Sequence, residues 1–465
     1  MTDIFRWTAT RTAQALATGE VGVAEVTQAH LERVAQCEPQ LRALVEPFAD
    51  QALEQARAMD KTRPEELPPL WGCPVSVKIN VDMKGHPNSN GVPALNKVPC
   101  EHDSPVVANL KAAGAVILGR TSTPEFSLRF FTSNPIYGCT LNPWDSAITP
   151  GGSSGGASAA VAAGMGVLGH GNDLGGSLRY PAYCTGLATL RPSMGRVPAF
   201  APSAPEERPA ALQTMSVQGV IARSVADVRL AYGPLSARSP LDPLWRAAPD
   251  AGKPRLGRVG FCTDPFGDGV APRVAQAVET AAKAAAASGL EVVEVTPPMV
   301  HAAAKAWAQL LSADVHYKMM PTIRKFGSPE IIALLDEKAD LYGLPDLEGY
   351  ITQRAVRLTC QRTWAEMFES IDALIMPVSA AEPFASDQDF ARPESYPEIM
   401  RAQRSLSIIN LLGLPAACVR TLDCRPVPLG VQVVGAMMDD PVCLDVAQAI
   451  ETELGFDLSP VEPAL

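Results

Sequence analysis

Residues 150–182 read PGGSSGGASAAVAAGMGVLGHGNDLGGSLRYPA, two glycine–serine knots at the ends of an alanine-rich run. Small side chains through the middle suit a segment pressed against neighbouring backbone in a core. Glycines at the ends permit turns that other residues resist. A flexible linker would be polar throughout. A phosphate loop would end in GK[ST], and this segment does not. The apolar part, residues 157–169, falls short of the roughly 20 residues needed to span a bilayer.

The rest of the chain supplies the frame for this segment. VAEVTQAHLERVAQ has helical spacing, with Pro39 as a breaker, and residues 9–60 read as helices. CPVSVKINVD (73–82) reads as a strand ending near Lys78. HDSPVVANLKAAGAVILGRT reads as helix, glycine turn and strand, and residues 217–232 as a turn and helix. RLGRVGF, LEVVEVT, DALIMPV and PLGVQVVG read as further strands, and DVAQAIETELG as a closing helix. Alternating strands and helices predict an α/β fold around a largely parallel or mixed sheet.

Several function classes are disfavoured. The net charge of −11 argues against non-specific binding to nucleic acid or an anionic membrane. The six histidines form no HExxH or HxH arrangement, and the ten cysteines no CxxC pair, so no metal is expected. The N-terminus lacks the basic start and apolar run of a signal peptide, so a cytoplasmic protein with free buried thiols is expected.

The second knot, Asn172–Asp173–Leu174–Gly175–Gly176–Ser177, has the makings of an acyl-transfer site. Successive N–H groups in a glycine turn can face one concavity and hold a negative oxygen. Ser177 would stand beside it as a hydroxyl nucleophile. A glycine turn with an incidental serine is the plainer alternative. The nucleophile would need a base. His170 is near in sequence, but no Ser-His-Asp order stands out. Ser153 and Ser154 lie in the first knot, and Lys78 ends an apolar strand. Lysine titrates near 10.4 in water, so holding it neutral at pH 7 costs about 4.6 kcal/mol. Burial among Val75, Val77 and Ile79 can supply such a shift. A structural ion pair is the other use for Lys78.

Together, GGSSGG…GNDLGGSLRYPA and PVSVKIN resemble the amidase signature family. RTSTPEFSLRF…SNPIYGCTLNPWD, GVIARSVADV, DALIMPV, NLLGLPAACV and PLGVQVVG resemble its other landmarks, so the likeness covers nearly the whole chain. It implies one domain over 1–465, a large twisted mixed sheet with helices on both faces, and a signature core at 70–200. By the same resemblance Ser177 is the nucleophile, and Ser153, preceded by a cis peptide bond, relays the proton. Lys78 is the terminal base, and the amides of Leu174, Gly175, Gly176 and Ser177 form the oxyanion hole. Ser154 hydrogen-bonds within the first knot. Asp173 and Arg179 form a pair that fixes the second. The chain departs from the family pattern at Ile79, usually acidic, at Asn172, often threonine, and at His170, usually apolar.

The implied activity is hydrolysis of an amide, an ester or a carbamate without a cofactor, by a monomer or homodimer. Ser127, Phe130 and Phe131 stand where relatives build the acyl pocket, although aromatic residues at this spacing also serve as core. Residues 199–216 and 300–369 are variable segments that could form a lid or simply decorate the surface. Two other readings remain. One is a glutaminase component of a tRNA-dependent amidotransferase, and the other a non-catalytic binding protein on this fold.

Overall fold

The computed structural model describes residues 3–249, 255, 257–423 and 426–463. Its centre is an eleven-stranded mixed sheet. In spatial order the strands are Glu46–Pro47, Val116–Thr121, Pro74–Lys78, Leu168–Asp173, Val217–Ala222, Ala188–Arg191, Ala416–Leu422, Leu429–Gly435, Ala373–Pro377, Arg258–Phe261 and Glu291–Glu294. Pairing is parallel from Val116–Thr121 to Leu168–Asp173 and again at the far end. Between these blocks it is antiparallel.

Strand periodicity accounts for the layers. Successive side chains of a strand point to opposite faces. In ALIMP, Ala373 and Ile375 enter one core, with the helices Pro272–Ala287 and Asp440–Leu454. Leu374 and Met376 enter another, built on the helices Val300–Asp314 and Arg404–Leu412. Both faces are therefore covered, as buried runs without polar alternation require.

Some boundaries differ from the sequence expectation. Pro39 lies inside the helix Val23–Leu41, which runs two residues past it. Residues 217–222 form a strand before the helix Val225–Leu235, where a turn was expected. The strand holds Gly219 because a Cβ there would meet the Leu178 side chain and the Leu190 carbonyl at 2.7 Å.

This topology places the two knots. The helix Gly155–Ala162 starts at the first knot, and the strand Leu168–Asp173 ends at the second. That strand runs parallel to Pro74–Lys78, with Val75 opposite Leu168, so their carboxyl ends leave the sheet together. Ligands of open α/β sheets gather at such ends.

Candidate active site

The first knot is glycine-rich because backbone fills the space beside it. A Cβ on Gly151 would stand 2.6 Å from Pro181 Cα, and one on Gly152 2.5 Å from the Phe130–Phe131 peptide. The Gly152–Ser153 peptide is cis. Lys78, fully buried at the end of its strand, reaches into this knot. Its Nζ lies 2.7 Å from Ser153 Oγ, 3.1 Å from Ser154 Oγ and 2.9 Å from Asn172 Oδ1. Burial pushes the Lys78 amine well below the usual lysine range, against the opposing charge of Asp173. Thr123 holds the knot from behind, its hydroxyl donating to the Ser153 carbonyl at 2.9 Å.

In the second knot Asp173 and Arg179 are completely buried and joined by two 3.0 Å contacts. Asn410 Nδ2 also donates to Asp173 at 2.8 Å, and Arg179 donates to Gln432 Oε1 at 2.9 Å. Burial alone would raise the Asp173 carboxyl. Arg179, with help from Arg191 and Asn410, outweighs it and holds the group well below the usual carboxylate range. The carboxylate also accepts from the Gly176 amide at 2.8 Å and the Leu178 amide at 3.2 Å.

That contact corrects one sequence expectation. The Gly176 N–H is committed to Asp173 and is withdrawn from the oxyanion set. Among the described residues, the amides of Leu174, Gly175 and Ser177 have no hydrogen-bond partner. Gly176 itself has φ +118°, and a Cβ there would stand 2.5 Å from Leu406 Cδ1.

Ser177 is 8% exposed and shares with Ser153, Asn172 and Leu174 a cavity of about 630 Å³. Among the described residues no hydrogen bond joins the Ser177 and Ser153 hydroxyls in this resting state. Residues from 200–216 and 317–322, parts of both variable segments, also line the cavity, and Lys318 Nζ lies 3.3 Å from Glu206 between them. A narrower slot of about 40 Å³ adjoins Ser177. Ser127, Phe130 and Phe131 line it with Leu174, Gly175, Trp307, Leu334, Lys338 and Tyr396.

His170 lies apart from this chemistry. Burial, against the hydrogen bond to Gln218, lowers it to about 4, so it is neutral at pH 7. Its Nε2 is 2.9 Å from Gln218 Oε1, and the Lys78 backbone N–H donates to its Nδ1 at 3.5 Å. Ile79 is buried, and Asn172 pairs reciprocally with Asn80. Sequence reasoning missed Asn80, Asn410, Gln432 and Trp307. Asn410 and Gln432 had a visible signal, a lone amide inside an otherwise apolar run. Trp307 had none.

No helix among the described residues is long and apolar enough to cross a membrane. Nor does any group of three or more His, Cys, Asp or Glu among them gather as metal ligands.

The amidase family profile matches residues 25–444. Indoleacetamide hydrolase of Bradyrhizobium diazoefficiens is 40% identical over 457 residues, covering 97% of this chain and 87% of the relative. A glutamyl-tRNA(Gln) amidotransferase component from Salinispora tropica is 31% identical over 494 residues, covering 98% of this chain and 99% of the relative. A bacterial aryl acylamidase of the amidase signature family superposes with a TM-score of 0.82 at 23% identity, covering 97% of both chains. A buried amine on serine in a glycine knot, in this sheet and with these relatives, leads to one conclusion: the chain belongs to the amidase family and hydrolyses amide carbon–nitrogen bonds.

Proposed function

We propose that this protein is a stand-alone amidohydrolase of small aryl or arylalkyl carboxamides, acting through an acyl-enzyme on Ser177. One observation carries the reading: the buried Lys78 amine sits 2.7 Å from Ser153, in a knot that opens on the same cavity as Ser177. Neutral Lys78 takes the Ser153 proton as Ser153 takes that of Ser177. Ser177 Oγ bonds to the amide carbon, and the carbonyl π pair moves to oxygen. The amides of Leu174, Gly175 and Ser177 hold that charge. When the carbon–nitrogen bond breaks, Ser153 protonates the leaving nitrogen and recovers its own proton from Lys78. Water, deprotonated through the same relay, then attacks the acyl-enzyme and releases the acid. Esters, whose leaving group is easier, and carbamates are further candidate substrates.

The substrate class is supported by the slot beside Ser177, walled by Phe130, Trp307, Leu334 and Tyr396. The 40% identical indoleacetamide hydrolase is named for an arylacetamide, which suits such walls. A glutaminase pocket would need free charges for the α-amino and carboxylate groups. Asp389, the one carboxylate among the described residues of that slot, is bonded to Arg129 at 2.6 and 2.9 Å, which leaves none free for an α-amino group. The two variable segments that line the larger cavity are proposed as its lid.

The test is a hydrolysis panel on purified protein with Ser177→Ala as the blank, comparing an arylacetamide, a matched ester, an aryl carbamate and glutamine. Arylacetamide turnover that the substitution abolishes is expected. Turnover of glutamine alone, or activity surviving in Ser177→Ala, would sink the reading.

A further inference from the structure

The helix Val300–Asp314 sends Trp307 against the second knot. The indole is 3% exposed, and its Nε1–H donates to the Leu174 carbonyl at 3.2 Å. Its six-membered ring lies over Gly175, where a Cβ would meet Cζ2 at 2.7 Å. Lys338 Nζ stands 5.1 Å from the ring centroid, a cation–π distance.

The peptide joining Leu174 to Gly175 is trans, and a trans peptide is planar with its C=O and N–H pointing in opposite directions. Holding the Leu174 oxygen on the indole therefore fixes the direction of the Gly175 N–H, away from the indole. The neighbouring Gly175–Gly176 peptide is fixed from its other side, because the Gly176 N–H donates to Asp173 at 2.8 Å. Two successive glycines would otherwise let these peptides rotate at little steric cost. Two side chains from distant parts of the chain pin successive peptide units instead.

We infer that Trp307 is a positioning residue for the oxyanion hole: its indole N–H locks the Leu174–Gly175 peptide in the orientation that offers the Gly175 N–H to the developing oxyanion. Trp307 touches no reacting atom in this role. The inference rests on the Ser177 acyl-enzyme reading above. It assigns a catalytic consequence to a segment, residues 300–369, that carries no recognisable motif.

Trp307→Phe keeps the aromatic wall and deletes the donor. On an arylacetamide, kcat is expected to fall roughly 10- to 100-fold, below the 10²–10³ lost with an oxyanion donor itself. KM should change less than about twofold, the signature of an interaction felt only in the transition state. Affinity for a trifluoromethyl ketone analogue, which forms an oxyanionic hemiketal on the serine, should fall by the same factor as kcat. Should Trp307→Phe fold poorly, 3-benzothienylalanine at position 307 replaces the N–H by sulfur in a ring of the same shape, and the same losses are expected. An unchanged kcat, or a raised KM at constant kcat, would overturn the inference and leave Trp307 as a pocket wall. Ser177→Ala in parallel separates the two ideas. If it is inert while Trp307→Phe is fully active, only the positioning role fails. If it is active, the acyl-enzyme reading fails first.

Discussion

The amine of Lys78 lies 2.9 Å from Oδ1 of Asn172, an oxygen that can only accept. Asn80 holds this amide, accepting from Asn172 Nδ2 at 2.9 Å and donating back at 3.2 Å. Lysine must therefore donate here. Ser154 directs its own proton to the Asn172 carbonyl at 3.4 Å and accepts from Lys78 at 3.1 Å. A neutral amine has two N–H groups, and both are now used. Its lone pair is left for Ser153 at 2.7 Å, which is the orientation a base needs.

Asn172→Asp tests that arrangement through pH. A carboxylate beside Lys78 favours the ammonium and raises its pKa, by about 1–3 units for a close opposite charge. The base must be neutral, so activity rises as pH rises through the Lys78 pKa. The variant's acid limb should move to higher pH, with activity recovered as pH is raised further. A kcat/KM profile that falls evenly at every pH would refute the assignment.

Removing relay members should give non-additive losses. Lys78→Ala and Ser153→Ala each break one proton path, and general acid–base assistance contributes about 10²–10⁴-fold. The double variant should lose little more than the worse single one, because a broken relay cannot be broken twice. Losses that multiply in kcat/KM would mean that Lys78 and Ser153 act separately.

The Asp173–Arg179 pair supports structure more than chemistry. Both groups are wholly buried, and Arg191 Nε approaches the same carboxylate at 3.9 Å. Asp173→Asn would leave buried guanidinium charge uncompensated, at a cost of about 3–5 kcal/mol. Thermal unfolding should show a clear drop in Tm even where residual activity is assayable. A variant melting with the wild type would contradict the electrostatic account given for this turn.

How far the sequence could be read follows from range. Ser153, Ser177 and Lys78 could be singled out as candidates because each sits in a local pattern of glycines or β-branched neighbours, while the roles expected of them came from the family resemblance. Pro74–Lys78, Val116–Thr121, Arg258–Phe261, Glu291–Glu294, Ala373–Pro377 and Leu429–Gly435 were legible as apolar runs. Leu168–Asp173, Ala188–Arg191, Val217–Ala222 and Ala416–Leu422 were not. VQGVIA has a glycine where a strand former belongs, and the reason is Leu178 and Leu190 across the packing interface. The withdrawal of the Gly176 amide depends on which way the Asp173 carboxylate turns, and that is set by Arg179 and by Asn410, 237 residues away. The hold of Trp307 on Leu174 spans 133 residues. No spacing rule reports a contact of that kind.

Lys338 offers a stability prediction with a definite sign. It is buried at the slot beside Ser177, and burial lowers its amine to about 8. In the unfolded chain lysine titrates near 10.4. Above that pH both states are neutral and the residue costs nothing by this route. As pH falls toward 8 the unfolded chain binds the proton first, so folding loses stability. Below about 8 the penalty is constant, roughly 3 kcal/mol for a shift of this size, less whatever the Trp307 ring returns. Lys338→Met, similar in volume, should therefore be more stable than the wild type at pH 7. Its advantage should shrink steadily as denaturation is repeated from pH 8 to pH 10.5. A variant less stable at pH 7, or an advantage independent of pH, would mean that the amine has a compensating partner in the fold.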